Sequence, residues 1–130
     1  MLSNSRESGI ICVVDDDEGV RKSFRRYLEV KGLSVRDYCS GEVFLAEMHA
    51  PSIGCLVLDF HLRGSTGLEI LIRSRSQGWM FPVIMMTGHQ SSSLEEQALR
   101  SGARAVLRKP IEPHVLFSTI EKALAAKQAV

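Results

Sequence analysis

Apolar runs and amphipathic stretches alternate along the whole chain. Ile10-Ile11-Cys12-Val13-Val14 is a continuous, mostly β-branched run and predicts a strand buried on both faces. Val20, Phe24, Tyr27 and Leu28 follow at helical spacing, and Gly32 marks the stop. Ser34–Tyr38 predicts a short second strand, and Ser40 is placed to cap a helix carrying Val43, Phe44 and Met48. Cys55–Leu58 predicts the third strand, Gly67–Ser76 the third helix and Pro82–Met86 the fourth strand. A helix capped by Ser92 or Ser93 runs through Arg100 to a stop at Gly102, and Ala105–Leu107 is a short fifth strand. Pro113 suits the first turn of a last helix whose apolar face is Leu116, Ile120, Ala123 and Leu124.

Five strand-helix units predict an α/β fold, with a five-stranded parallel sheet, helices on both faces and right-handed crossovers. Residues 1–130 read as one domain with an ordered core over about 9–126, and Lys127–Val130 are expected to fray. Composition adds little beyond this. The 130 residues are 45% hydrophobic and 24% charged with a net charge of +1, ordinary for one globular domain. The near-neutral charge gives no general reason for nucleic-acid or membrane binding, and no apolar stretch reaches membrane-spanning length. Cys12 and Cys55 fall inside apolar strands and no CxxC spacing occurs, so buried reduced thiols in a cytoplasmic protein fit best.

The strand ends carry the chemistry. The first strand runs into Asp15-Asp16-Asp17, and the third ends at Asp59. Thr87 follows the fourth and Lys109 the fifth. In open parallel sheets, ligands sit beyond the carboxyl ends of the strands. Like charges gathered there point to a divalent cation, a reactive carboxylate, or both. Taken singly, each residue has a plainer reading. Asp17 suits a helix cap, and Thr87 alone would be a turn residue, Lys109 a solvated lysine and Asp59 a loop acid. Their joint placement favours function.

Together, Asp15-Asp16, Asp59, Thr87-Gly88 and Lys109-Pro110, in order on successive strand ends, resemble the receiver domain of bacterial two-component response regulators. Thr87-Gly88-His89 looks most like the FixJ-like subgroup. The resemblance covers Ile10 to about Ala126 and implies a doubly wound, flavodoxin-like (βα)5 fold with strand order 2-1-3-4-5. It implies that Asp59 is the phosphoacceptor nucleophile. Asp15, Asp16, Asp59 and the His61 backbone carbonyl would hold Mg2+, with Mn2+ as an alternative ion. Lys109 would pair with Asp59 at rest and with a phosphate oxygen afterwards, while Thr87 offers its hydroxyl. Gly88 leaves room beside it, and Pro110 is cis in the family.

The resemblance also implies a switch that accepts phosphoryl from a sensor histidine kinase, phosphotransfer protein or small phosphodonor and hydrolyses it slowly. Its output is expected to be transcriptional, through a domain outside this chain. A homodimer is expected through the fourth helix, fifth strand and fifth helix, or through the first and fifth helices. The basic first helix, with Arg21, Lys22, Arg25 and Arg26, is where the family docks its kinase. Two rival readings are a phosphorylation-independent interaction module and an aspartyl-nucleophile phosphatase. The phosphatase reading wants a second Asp where His61 stands.

Three positions depart from the family pattern. Leu62-Arg63 replaces the usual Met-Pro, freeing the loop backbone and adding a cation. Thr66 replaces a common small polar residue. Val106 occupies the place of the aromatic ring that signals activation, so the readout is expected to be altered or weaker. His61 and His89 are expected to flank the mouth and influence phosphoryl lifetime, with a pH dependence near histidine's own pKa. Trp79 is expected to be structural, and Met85 and Met86 to be core strand residues.

Overall fold

A computed structural model of the protein describes residues 9–89 and 91–128. The elements are β1 (Ile10–Val14), α1 (Glu18–Val30), β2 (Ser34–Tyr38), α2 (Gly41–Glu47), a 3-10 turn (Ala50–Ser52), β3 (Ile53–Asp59), α3 (Gly67–Ser76), β4 (Val83–Thr87), α4 (Ser92–Arg100), β5 (Ala105–Arg108) and α5 (Pro113–Gln128). All strands pair in parallel in the order β2-β1-β3-β4-β5, as expected.

The pleat sends alternate strand residues into two separate cores. Cys12, Val14, Leu56 and Leu58 pack on the α2–α3 side with Phe44, Ile70 and Leu71. Ile11, Val13, Val57 and Met86 pack on the other side against Phe24 and Leu28 of α1 and Leu116 and Ile120 of α5. Every residue of β3 and β4 is buried, so these strands read as unbroken apolar runs ending in one polar group each. Trp79 packs against the first core, with its ring edge to face with Phe44 at 6.4 Å, a structural role as expected. Met85 and Met86 are fully buried.

Helix boundaries follow local chemistry. The Asp17 carboxylate accepts the Val20 N–H and caps α1, and Ser40 does the same for α2 through Val43. At the end of α1, Gly32 takes φ +94° and the Leu33 N–H reaches back to the Leu28 carbonyl, closing the helix in a Schellman-type turn.

Five elements differ from expectation at their boundaries. Helix α4 is capped by Ser91, not Ser92 or Ser93. The Ser91 hydroxyl accepts the Leu94 N–H, and Leu94 and Ala98 lie on the core face. Strand β3 begins two residues early at Ile53, because it pairs with Ile10 of β1, and Asp59 is its last residue. Strand β4 is shifted by one, to Val83–Thr87, and β5 continues to Arg108, which pairs with Thr87. Helix α5 continues to Gln128 where fraying was expected from Lys127; Ala129 and Val130 lie outside the described residues.

Candidate functional site

Four strand ends converge on one edge of the sheet. Asp15 follows β1 and is fully buried, Asp59 ends β3 at 3% exposure, and Thr87 ends β4 at 6%. Asp15, Asp16 and Asp59 each present a carboxylate oxygen within 4.8 Å of the others. Lys109, just past β5, bridges two of them: its Nζ donates to Asp15 Oδ2 at 2.9 Å and to Asp59 Oδ2 at 3.1 Å. Its backbone N–H donates to the Thr87 carbonyl at 2.7 Å, and the Lys109–Pro110 peptide is cis.

One lysine faces three carboxylates, so the cluster is acid-rich. Burial raises the Asp59 pKa above the ordinary carboxylate value, and the charge of Asp15 pushes the same way; Lys109 and the His61 N–H only partly oppose this. Burial alone would lower the Lys109 pKa, but its bonds to Asp15 and Asp59 outweigh that and hold it above its usual value. The donor set is all oxygen and anionic, which fits a hard divalent cation such as Mg2+.

The surrounding loops are tied down by several bonds. Asp59 Oδ1 accepts the His61 N–H at 3.2 Å, and Asp15 Oδ1 accepts the Asp17 N–H at 2.9 Å. The Thr87 hydroxyl accepts the His89 N–H at 3.0 Å, so at rest it serves its own turn. Gly88 has open space around the position a Cβ would take. Arg63 is 93% exposed and approaches Asp16 at 4.0 Å, adding a weak surface cation. The His61 and His89 rings, both exposed, meet edge to face with centroids 4.5 Å apart. Val106 is half-buried against the first core.

Three supporting features escaped sequence reasoning. Thr66 and Glu69 form a reciprocal capping box at the start of α3, for which the spacing Thr-x-x-Glu was the available signal. The Glu42 carboxylate on α2 accepts the Ser65 N–H at 2.9 Å and holds the loop after Asp59 from outside. Gly67 lies so close to the Asp59 carbonyl and Phe60 Cα that a Cβ would overlap them. The basic face of α1 also changes meaning. Arg21 donates to Asp37 at 2.9 Å and to the Asp15 carbonyl at 2.8 Å, and Arg25 donates to Asp37 at 2.7 Å. Those two side chains clasp β2, leaving Lys22 and Arg26 as the outward charges of the four.

The family model of the response regulator receiver domain matches residues 11–121. The chain belongs to that family. This receiver is 36% identical over 116 residues to the transcriptional regulatory protein FixJ of Bradyrhizobium diazoefficiens, covering 89% of the chain and 57% of FixJ. It thus spans somewhat more than half the length of the curated relatives it matches. The solved FixJ-N structure superposes with a TM-score of 0.81 at 32% identity, covering 96% of both chains. A CheY-like receiver from Methanospirillum hungatei JF-1 reaches a TM-score of 0.87 at 26% identity, covering 93% of this chain and 97% of the other. Among the described residues of this receiver, no helix is long and apolar enough to cross a membrane.

Proposed function

We propose that the receiver takes a phosphoryl group on Asp59 from a histidine kinase, phosphotransfer protein or small phosphodonor, and so switches an output. The observation that carries this reading is the bridge from Lys109 Nζ to the buried Asp15 and Asp59 carboxylates. A carboxylate oxygen of Asp59 attacks phosphorus, the bond to the donor's nitrogen or oxygen breaks, and the donor leaves with the electron pair. Asp59 then carries an acyl phosphate. Lys109 passes from the carboxylate to a phosphoryl oxygen, so its charge stays on the reacting group. Thr87 gives up its turn with His89 and donates its hydroxyl to the phosphoryl. Asp15, Asp16, Asp59 and the His61 carbonyl would hold Mg2+, or Mn2+. That ion, when bound, supplies neutralisation of the charge on the transferring oxygens. Water attack later releases phosphate, and the His61 and His89 rings at the opening set how long the acyl phosphate lasts.

The output is proposed to be transcriptional, as the name of the FixJ relative states for that protein. The kinase is proposed to meet α1, where Lys22 and Arg26 remain outward. A homodimer would use α4-β5-α5 or the α1/α5 face, and the chain would work in the cytoplasm. Val106 supports a second reading in which the fold is an interaction module without phosphorylation, because a valine cannot swing inward as a signalling ring does. Acetyl phosphate with Mg2+, followed by intact mass, separates the two. A phosphoryl adduct that is absent in Asp59→Asn supports the switch; no adduct in the wild type favours the module.

A further inference from the structure

We infer that His61 and His89 form a second metal site, specific for a borderline divalent transition ion such as Zn2+ and separate from the carboxylate cluster. The two rings belong to different loops, following β3 and β4, and meet because those strands are neighbours in the sheet. Each backbone is anchored at its own strand end: the His61 N–H to Asp59 Oδ1 at 3.2 Å and the His89 N–H to Thr87 Oγ1 at 3.0 Å. The anchors hold the chain and leave both exposed rings free to turn about χ2, which is a soft torsion for histidine.

A tetrahedral ion bonded to two imidazole nitrogens at about 2.0–2.1 Å needs those nitrogens about 3.4 Å apart. Rings with centroids at 4.5 Å and an interplanar angle of 66° are close to that arrangement, and a turn about χ2 with a small outward shift of the exposed loops completes it. Water fills the remaining positions. Imidazole prefers Zn2+, Cu2+ and Ni2+ over Mg2+, whereas the all-carboxylate cluster prefers the hard ion. Two neighbouring sites on one edge therefore select different metals. The acid-rich cluster beneath also draws cations towards the rings. An ion on both imidazoles ties the loop after Asp59 to the loop after Thr87.

The site does not depend on phosphorylation. The test is Zn2+ titration of the intact chain by calorimetry in excess Mg2+, so that the carboxylates are already served. One Zn2+ per chain is expected, weakened about tenfold or more in His61→Asn and in His89→Asn. It is expected to be retained in Asp59→Asn and in His49→Asn/His114→Asn, which removes the other two histidines. Unchanged binding in the His61→Asn/His89→Asn double variant overturns the inference, as does loss of binding in Asp59→Asn or absence of Zn2+ binding in the wild type. Both rings are exposed, so the variants are expected to fold, and unchanged urea midpoints check this. Failure of the acetyl phosphate experiment leaves this result untouched.

Discussion

Replacing Asp59 by Asn is expected to stabilise the metal-free receiver by about 1–2 kcal/mol near neutral pH, at the expense of its chemistry. Asparagine keeps the shape and an oxygen to accept the His61 N–H, and removes the charge together with the Oδ2 acceptor of Lys109. At an effective dielectric of about 20, like charges within 4.8 Å of each other repel by at least about 3.5 kcal/mol. Asp59 faces two such neighbours. Its attraction to Lys109 at 3.1 Å is about 5 kcal/mol on the same scale. Asp16 is more exposed and its share is screened, so the Coulomb contributions nearly cancel. The cost of burying the ionised carboxylate at 3% exposure then decides the sign.

The pH dependence follows from the raised Asp59 pKa. Relative to the unfolded chain, the fold favours the protonated form. The stability this contributes is fully present below the unfolded-chain pKa and is lost as pH rises through the folded-state value. The variant loses nothing on that climb, so its advantage appears at neutral pH and disappears in acid. Magnesium is expected to reverse the order. At ten times its Kd, a ligand specific for the native state adds about 1.4 kcal/mol, and at a hundred times about 2.7 kcal/mol. The wild type is expected to gain this, and the variant, short of one carboxylate, much less. The assay is urea unfolding followed by the fluorescence of Trp79, the single tryptophan, with and without Mg2+. A metal-free Asp59→Asn protein less stable than wild type at neutral pH, or an advantage undiminished in acid, refutes the reasoning.

Asp37→Asn is expected to cost about 1–2 kcal/mol at neutral pH, because it breaks the clasp of Arg21 and Arg25 on β2. Burial tends to raise the Asp37 pKa, but the two arginines outweigh it and lower the value, so this stability is present above the unfolded-chain pKa and lost as pH falls through the folded one; urea midpoints of wild type and variant should converge in acid. Gly67→Ala forces a Cβ into the Asp59 carbonyl and Phe60 Cα, which are backbone and cannot step aside. A loss of about 1–3 kcal/mol is expected in urea unfolding, along with slower adduct formation from acetyl phosphate. Of the three thiols only Cys39 is exposed, and burial pushes Cys12 up to about 12, so Ellman's reagent should titrate one thiol in the native protein and three in denaturant.

The buried strands were legible because a parallel strand covered on both faces must be apolar at every position. Ile11–Val14 and Leu56–Leu58 could hardly be anything else. The site was legible for the opposite reason: a charged or hydroxyl group closing such a run is conspicuous, and Asp15, Asp59 and Thr87 each do so. The start of β3 was hidden because Ile53-Gly54 has no strand signal of its own and is extended only by its pairing with β1. Polar contacts across long separations were hidden too. Glu42 and Ser65 are 23 residues apart, and nothing in either segment announces the other. Arg21 and Arg25 read as a free basic face until the sheet order placed Asp37 beneath them. The ring contact between His61 and His89 likewise needed β3 beside β4.

The order of the site along the chain has a consequence for how the protein is made. All three carboxylates lie within the first 59 residues, two in the turn after β1 and one at the end of β3, and those two strands pair directly. Lys109 comes 50 residues after Asp59 and 94 after Asp15. Closing those long loops carries the larger entropic cost, and a nascent chain meets it last. The acidic half of the pocket can therefore assemble while its own cation is still unsynthesised. Free Mg2+ in the surrounding solution is then expected to act as a folding aid as well, and synthesis in a magnesium-poor medium is expected to lower the yield of native receiver more than that of Asp59→Asn.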